Sequence, residues 1–175
     1  MNNIMLDLET MGTSPGCPIL SIGAVYFDPV NGRLGDEFYA AIQLVDSVRQ
    51  GFKPEGATIE WWLKQSDEAR DALFKNPLPV VTALIKFKSF VNSPKVAMWA
   101  KGPSFDCVIL RKAYEMMGID EPWYFRGDRD MRTLEQIAKY KGVMIPSFPR
   151  TGTHHNALDD AKYQAKTCLY VLERL

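Results

Sequence analysis

Two carboxylates near the start of the chain are the first residues whose spacing suggests chemistry. Asp7 and Glu9 fall at the end of an apolar run, Ile4 to Leu8, that reads as a strand. Alternate strand residues share a face, so Met5, Asp7 and Glu9 point one way and Ile4, Leu6 and Leu8 the other. The two acids then lie about 6.6 Å apart on one side. Like charges so placed repel unless something positive lies between them, although a solvated sheet face would also carry them cheaply. Asp106 is the second anomaly. It shares a helical face with Ile109, Leu110 and Ala113. A first-turn acid is favoured by the helix dipole, but Ser104 is available as the N-cap, and Gly102 and Pro103 let the backbone approach something closely. The third is His154-His155-Asn156-Ala157-Leu158-Asp159-Asp160. Asn156 fits an N-cap with Asp159 in the capping-box position. Asp160 falls beside Ala157, Ala161 and Gln164, where a carboxylate is costly unless neutralised. Both histidines of the chain stand just before this helix, and imidazole titrates near neutral pH.

The elements that must position these groups follow from hydrophobic pattern and turn residues. Ile4–Leu8, Ile19–Phe27 and Glu37–Ile42 read as strands joined in an antiparallel meander, with a turn at Asp28-Pro29-Val30-Asn31-Gly32. The spacing predicts short helices over Thr58–Gln65 and Ser66–Phe74, the second capped by Ser66. After Pro77 and Pro79 a longer helix shows a buried stripe at Val80, Leu84, Phe87 and Val91. Lys95–Trp99 fits a fourth strand. Helices follow over Ser104–Met117, stopped by Gly118, over Thr133–Tyr140 before Gly142, and over Asn156–Leu172. Strands first, then helices alternating with a further strand, predict an α/β chain with a mixed sheet flanked by helices. There is no internal repeat or linker, so residues 1–175 read as a single domain.

Composition narrows the function classes. The chain has 175 residues, 46% hydrophobic and 24% charged, which excludes a disordered or collagen-like polymer. Lys plus Arg total 21 and Asp plus Glu total 21, so the net charge is zero. That argues against coating nucleic acid by bulk positive charge. The charge is uneven, however: residues 1–94 hold 8 bases and 11 acids, residues 95–150 hold 10 and 7, and residues 151–175 hold 3 and 3. Phosphate contacts are therefore sought among Lys101, Arg126, Arg129, Arg132, Lys139, Lys141 and Arg150. Cys17, Cys107 and Cys168 are odd in number and far apart, which speaks against a disulfide framework or a thiolate zinc site. Asp7 and Glu9 interrupt the only apolar stretch near the start, and no run is long enough to span a membrane. A soluble, cytoplasmic protein is expected.

Taken together, Asp7-Leu8-Glu9-Thr10-Met11-Gly12, Ser104-Phe105-Asp106, and His155 with Asp160 five residues on resemble the three exonuclease motifs of the DEDD superfamily. The His155–Asp160 spacing is that of its histidine subclass, which includes RNase T and the proofreading subunit of bacterial DNA polymerase III. Two segments depart from the common pattern. Gly102 stands where many members carry an asparagine four residues before the aspartate, and Arg129-Asp130-Met131-Arg132-Thr133-Leu134 replaces a commoner Asp-Thr-hydrophobic string. With Thr58-Ile59-Glu60-Trp61-Trp62, these variants resemble a phage and prophage type related to phage exonuclease A and to a mycobacterial adenylate-directed exoribonuclease.

The resemblance implies a ribonuclease H-like fold with a five-stranded mixed sheet. Its fifth strand is expected at Trp123-Tyr124-Phe125. It also implies a metal-dependent 3′–5′ exonuclease that releases nucleoside monophosphates from single-stranded DNA or RNA. Asp7, Glu9, Asp106 and Asp160 would hold two divalent ions, Mg²⁺ or Mn²⁺. His155, on a loop after Gly152, would take the proton from the attacking water; His154 is the alternative. Met11, Phe105, Thr10, Trp62 and Arg132 are candidates to contact substrate. Trp61, Trp62 and Trp99 are candidates to stack on bases, though core packing suits at least two of them. Trp61 and Trp62, about 100° apart on a helix, are not expected to serve one base. The resemblance admits a homodimer, but no apolar stripe demands one. Two other readings remain at this stage: a non-catalytic nucleic-acid-binding module that keeps the fold, and an acidic Ca²⁺ cluster. The first has lost none of the five motif residues, and the second lacks a DxDxDG run.

Overall fold

The computed structural model describes residues 1–149, 152 and 155–175. His154 and Arg150, both named above, lie outside the described residues. Among the described residues five strands form one sheet in the order β3-β2-β1-β4-β5. They are β1 (Asn3–Thr10), β2 (Ile19–Asp28), β3 (Arg33–Ala41), β4 (Ala97–Ala100) and β5 (Asp128–Asp130). The first three form the expected antiparallel meander, whereas β4 and β5 join parallel to β1 and to each other. Among the described residues seven α-helices accompany them: α1 (Leu44–Arg49), α2 (Gly56–Trp62), α3 (Asp67–Phe74), α4 (Val80–Phe90), α5 (Asp106–Met116), α6 (Met131–Tyr140) and α7 (Ala157–Leu172).

Strand alternation divides the core into two layers. Ile4, Leu6 and Leu8 pack with Ile22, Ala24 and Tyr26 against α4 and α5. Met5, Val25 and Phe27 pack on the opposite face against α6 and α7. Val80, Leu84, Phe87 and Val91 are all buried, as their spacing predicts. Ser66 caps α3 by accepting a hydrogen bond from the Ala69 N–H, and Asn156 caps α7 by accepting from Leu158 and Asp159. No helix among the described residues is long and apolar enough to cross a membrane.

Three details differ from expectation. The fifth strand is Asp128–Asp130, not Trp123–Phe125. Trp123 is a core anchor, 1% exposed, whose Nε1–H donates to Asp128 Oδ1 at 2.9 Å. Arg111 donates to the same carboxylate, so Asp128 is drawn in beside β4. Tertiary bonding thus makes a strand of residues with little β-preference. Secondly, α5 has Phe105 rather than Ser104 at its N-cap, with no side-chain cap bond. Thirdly, α1 had no detectable period. It has six residues, too few to show one, and is tied to α4 by Asp46, which accepts from the Val80 N–H at 2.8 Å.

One glycine sets how closely α7 meets the sheet. Gly23 lies opposite Asp7 in the β1–β2 pairing. A Cβ there would fall 2.1 Å from the Ala157 carbonyl carbon and 2.2 Å from the Leu158 nitrogen, at the first turn of α7. Backbone cannot yield as a flexible side chain can. Gly23→Ala is therefore expected to destabilise the fold by about 1–3 kcal/mol through overpacking. Urea denaturation checks this; a midpoint equal to that of the parent chain would contradict the close contact.

Candidate active site

The first strand outruns its neighbour. Only Asn3–Met5 pair with β4, so the edge of β1 beyond Met5 is open on that side. Asp106 enters there from the first turn of α5, and its Oδ1 accepts the Leu8 N–H at 3.0 Å. Asp7 and Glu9 project toward α7, on the face shared with Met5. That helix, seated close by Gly23, contributes Asp160 and Gln164 from its inward side. Gln164 Nε2 donates to Asp7 Oδ1 at 2.6 Å, while its own Oε1 is buried and has no hydrogen-bond partner among the described residues. His155 precedes the helix with φ of 63°, and its backbone N–H donates to Asp160 Oδ2 at 3.1 Å. Ligand atoms of Glu9, His155 and Asp160 all lie within 4.8 Å of one another.

The acids are crowded and largely shielded from water, and the proton affinities of Asp7, Glu9 and Asp106 show it. Burial, then the charges of Asp106, Glu9 and Asp160, push the Asp7 pKa well above the usual carboxylate range, against the bond from Gln164. Glu9 is pushed up to about 8, by burial first and then by Asp160 and Asp106. Asp106 is pushed up to about 7 by burial, opposed by the Leu8 N–H, its own backbone N–H and the Arg132 charge. A crowded set of oxygen donors that resists ionisation fits divalent cations: positive charge removes the repulsion, and hard oxygens suit Mg²⁺ or Mn²⁺.

A pocket of about 440 Å³ opens beside Glu9, lined by Leu8, Thr10, Gly12, Thr13, Ala57, Thr58, Trp61, Trp62 and Phe105 as well. Its far wall is α2, latched to the loop after β1. Glu55 accepts from Thr13 Oγ1 and from the Ser14 N–H, each at 2.9 Å, and its own N–H reaches the Met11 carbonyl at 2.8 Å. Trp62 Nε1–H donates to the Thr10 carbonyl at 2.9 Å, so Trp62 is fixed and buried. Trp61 is 41% exposed and stands edge-on to His155, ring centroids 4.9 Å apart. Both adjacent tryptophans thus line one pocket, their rings meeting at 84°.

The structure brings Asp7, Glu9, Asp106, Asp160 and His155 to one cleft, with Thr10, Trp62 and Phe105 on the pocket wall. Met11 is not on that wall; it packs behind it with Leu20, Trp62, Ala69 and Leu73. Arg132 is not on it either, and lies over Gly102 near Asp106. Trp99 is packed against Phe27, with Nε1–H on Asn3. Sequence reasoning missed the Gln164 contact with Asp7, the Trp61 contact with His155, and the role of Gly23. Gln164 did carry a signal, since it is a polar residue four positions after Asp160 on a face otherwise made of alanines.

Comparison with known proteins bears on this cleft. A family model described as an Rv2179c-like 3′–5′ exoribonuclease domain matches residues 2–172. An exodeoxyribonuclease of Enterobacteria phage T4 is 27% identical over 178 residues, covering 86% of this chain and 78% of that protein. Among solved structures, apo exonuclease I aligns with a TM-score of 0.68 at 17% identity, over 98% of this chain and 42% of that one. Cell-death related nuclease 4 aligns at 0.66 and 13% identity, over 98% and 64%. The nuclease domain of 3′hExo, described as a DEDDh family member bound to rAMP, aligns at 0.61 and 13%, over 98% and 91%. The chain therefore spans less than two thirds of the first two of these solved structures. The structural likeness places the five-stranded sheet among ribonuclease H-like folds.

The raised acids make stability depend on pH and metal. Glu9 and Asp106 hold protons in the folded chain at pH values where the unfolded chain, near 4.5 and 3.8, has released them. Folded chain then binds more protons than unfolded, so these groups lower stability as pH rises from about 5 to 8. In chelator the melting temperature is expected to fall over that interval. Mg²⁺ or Mn²⁺ is expected to restore roughly 5 °C or more at pH 8 and little at pH 5. Equal metal shifts at the two pH values would contradict the assignment of the cleft as a cation site.

Proposed function

This chain belongs to the family of Rv2179c-like 3′–5′ exoribonuclease domains, and on that premise we propose that residues 1–175 act as one metal-dependent 3′–5′ exonuclease domain that shortens single-stranded RNA or DNA to nucleoside monophosphates. One observation carries the reading. Asp7, Glu9, Asp106 and Asp160, drawn from three separate elements, share a desolvated cleft with His155 beside an open, partly aromatic pocket.

Phosphodiester hydrolysis needs a water made nucleophilic, a leaving alkoxide stabilised and a phosphate charge tolerated. The four carboxylates would hold two divalent cations, Mg²⁺ or Mn²⁺, which when bound supply Lewis-acid stabilisation of all three. The remaining work falls to the chain. His155 takes a proton from the attacking water, a task suited to imidazole near neutral pH. Trp61, against the His155 ring, limits where that imidazole sits. Gln164 fixes the rotamer of Asp7. Thr10, Phe105 and Trp62 flank the terminal nucleoside, whose base meets an apolar wall rather than water.

The test is degradation of 3′- and 5′-labelled single-stranded RNA and DNA, with and without Mg²⁺ or Mn²⁺. Expected is stepwise shortening from the 3′ end, only with metal. Asp7→Asn should lower kcat by roughly 10³-fold or more, since it removes one ligand charge. His155→Ala should lower it by about 10²–10⁴-fold. A chain with intact fold and metal that degrades no oligonucleotide would sink the proposal. Full activity in Asp7→Asn would sink the residue roles. Trp61→Phe should retain most of kcat and Trp61→Ala lose about tenfold, because only the first keeps an aromatic edge against His155.

A further inference from the structure

The two segments in which this chain departs from the common motif pattern meet in space. Strands β4 and β5 are parallel neighbours, with Ala100 opposite Asp130. Two residues beyond each pair member stand Gly102 and Arg132. Gly102 has φ of 106°, and a Cβ built on it would lie 2.5 Å from Arg132 Nη1 and 3.3 Å from Cζ. The guanidinium therefore occupies the volume that a side chain at position 102 would need. Asp130 fixes the start of α6 from which Arg132 projects: its Oδ1 accepts the Arg132 N–H at 3.0 Å and its Oδ2 the Thr133 hydroxyl at 2.8 Å.

No acid among the described residues forms an ion pair with the charge so placed. The Arg132 guanidinium is exposed and close enough to Asp106 to lower that carboxyl's proton affinity. The neighbouring cations are engaged otherwise. Lys101 pairs with Glu135 at 3.2 Å, Arg129 donates to the Arg126 and Asp128 carbonyls, and Arg111 pairs with Glu121 and Asp128. Arg132 is thus a planar five-donor fork at the mouth of the cleft, suited to two phosphate oxygens at once.

We propose that Arg132, seated on Gly102, is a substrate-binding residue that grips a backbone phosphate of the single strand as it enters beside Asp106. The inference rests on the exonuclease reading and deepens it. It assigns the strand an entry path on the Asp106 side of the cleft, away from the tryptophan wall that flanks the terminal nucleoside. It also makes Gly102 and Arg132 one unit, because any larger residue at 102 displaces the guanidinium.

The experiment measures kcat and KM for a labelled oligonucleotide over a range of salt concentrations in Arg132→Gln, Arg132→Lys, Gly102→Ala and the Gly102→Ala/Arg132→Gln double variant. Arg33→Gln, at the end of the sheet remote from Glu9, serves as a charge control. Arg132→Gln is expected to raise KM about tenfold with the smaller change in kcat, and to reduce the slope of log(1/KM) against log[salt] by about 0.7, one single-strand phosphate contact. Arg132→Lys should recover the slope but only part of the KM. Gly102→Ala should raise KM as Arg132→Gln does, and the double variant should be no worse than either, the signature of one shared contact. An Arg132→Gln enzyme with unchanged KM and slope overturns the inference, as does an equal slope change in Arg33→Gln. Either result, with the parent chain active, leaves the exonuclease reading standing. A parent chain that degrades nothing overturns that reading, and this inference with it.

Discussion

Mutual repulsion among four desolvated carboxylates is the constraint around which this fold is organised. Left to themselves Asp7, Glu9, Asp106 and Asp160 would spread into water, where each costs little. Each is instead pinned by an element held in place for other reasons. The central position of β1 half-buries Asp7 and buries Glu9 between its neighbours and α7. Asp106 is held by the Leu8 N–H of β1, beyond the reach of the short β4. Asp160 is brought in because α7 rests on the bare backbone of Gly23. The two hydrophobic layers on either side of the sheet supply the stabilisation that offsets this electrostatic cost. The cost is concentrated at one end of one strand, where a bound cation would remove most of it.

Much of this was legible in the sequence because strand and helix periodicity decide faces. Alternation along Ile4–Glu9 separates the core side from the acid side, and the spacing of Ala157, Asp160, Ala161 and Gln164 marks one inward face of α7. What the sequence hid depends on contacts between distant segments. Nothing local in Asp128-Arg129-Asp130 marks it as a strand; Trp123 and Arg111 make it one by seizing Asp128. Nothing in the neighbourhood of Gly23 indicates that a helix more than 130 positions later needs its missing Cβ. The pairing of Trp61 with His155, and of Gly102 with Arg132, likewise appears only when the register of the sheet is known.

Zero net charge takes on a different meaning in this light. The chain has 21 basic and 21 acidic residues, and four of the acids form the cleft, so the remainder stands at 21 against 17. Two divalent cations carry the charge of four carboxylates. A loaded cleft is therefore neutral within itself, and the excess of four positive charges belongs to the rest of the chain, weighted toward residues 95–150. Under the proposed reading overall neutrality is compatible with a polyanionic substrate, because its attraction would be local, to the cations and to side chains such as Arg132 around them, rather than spread over the surface.

The division of labour between rigid and loop-borne groups has a further consequence. The carboxylates come from a strand and two helices, whereas His155 comes from the turn before α7 and sits at a positive φ, uncommon outside glycine but one that histidine adopts more readily than most side chains. Its own N–H on Asp160 Oδ2 and its ring against Trp61 and Trp62 are among the contacts that constrain it. Asp160 therefore has two duties, as a carboxylate of the cleft and as the acceptor that sets the histidine backbone. Its removal would disturb both at once. The effect of an Asp160 substitution would measure the coupled pair rather than one carboxylate, and in the proposed mechanism the group that moves the proton is positioned by the same carboxylate that would help hold the metal charge.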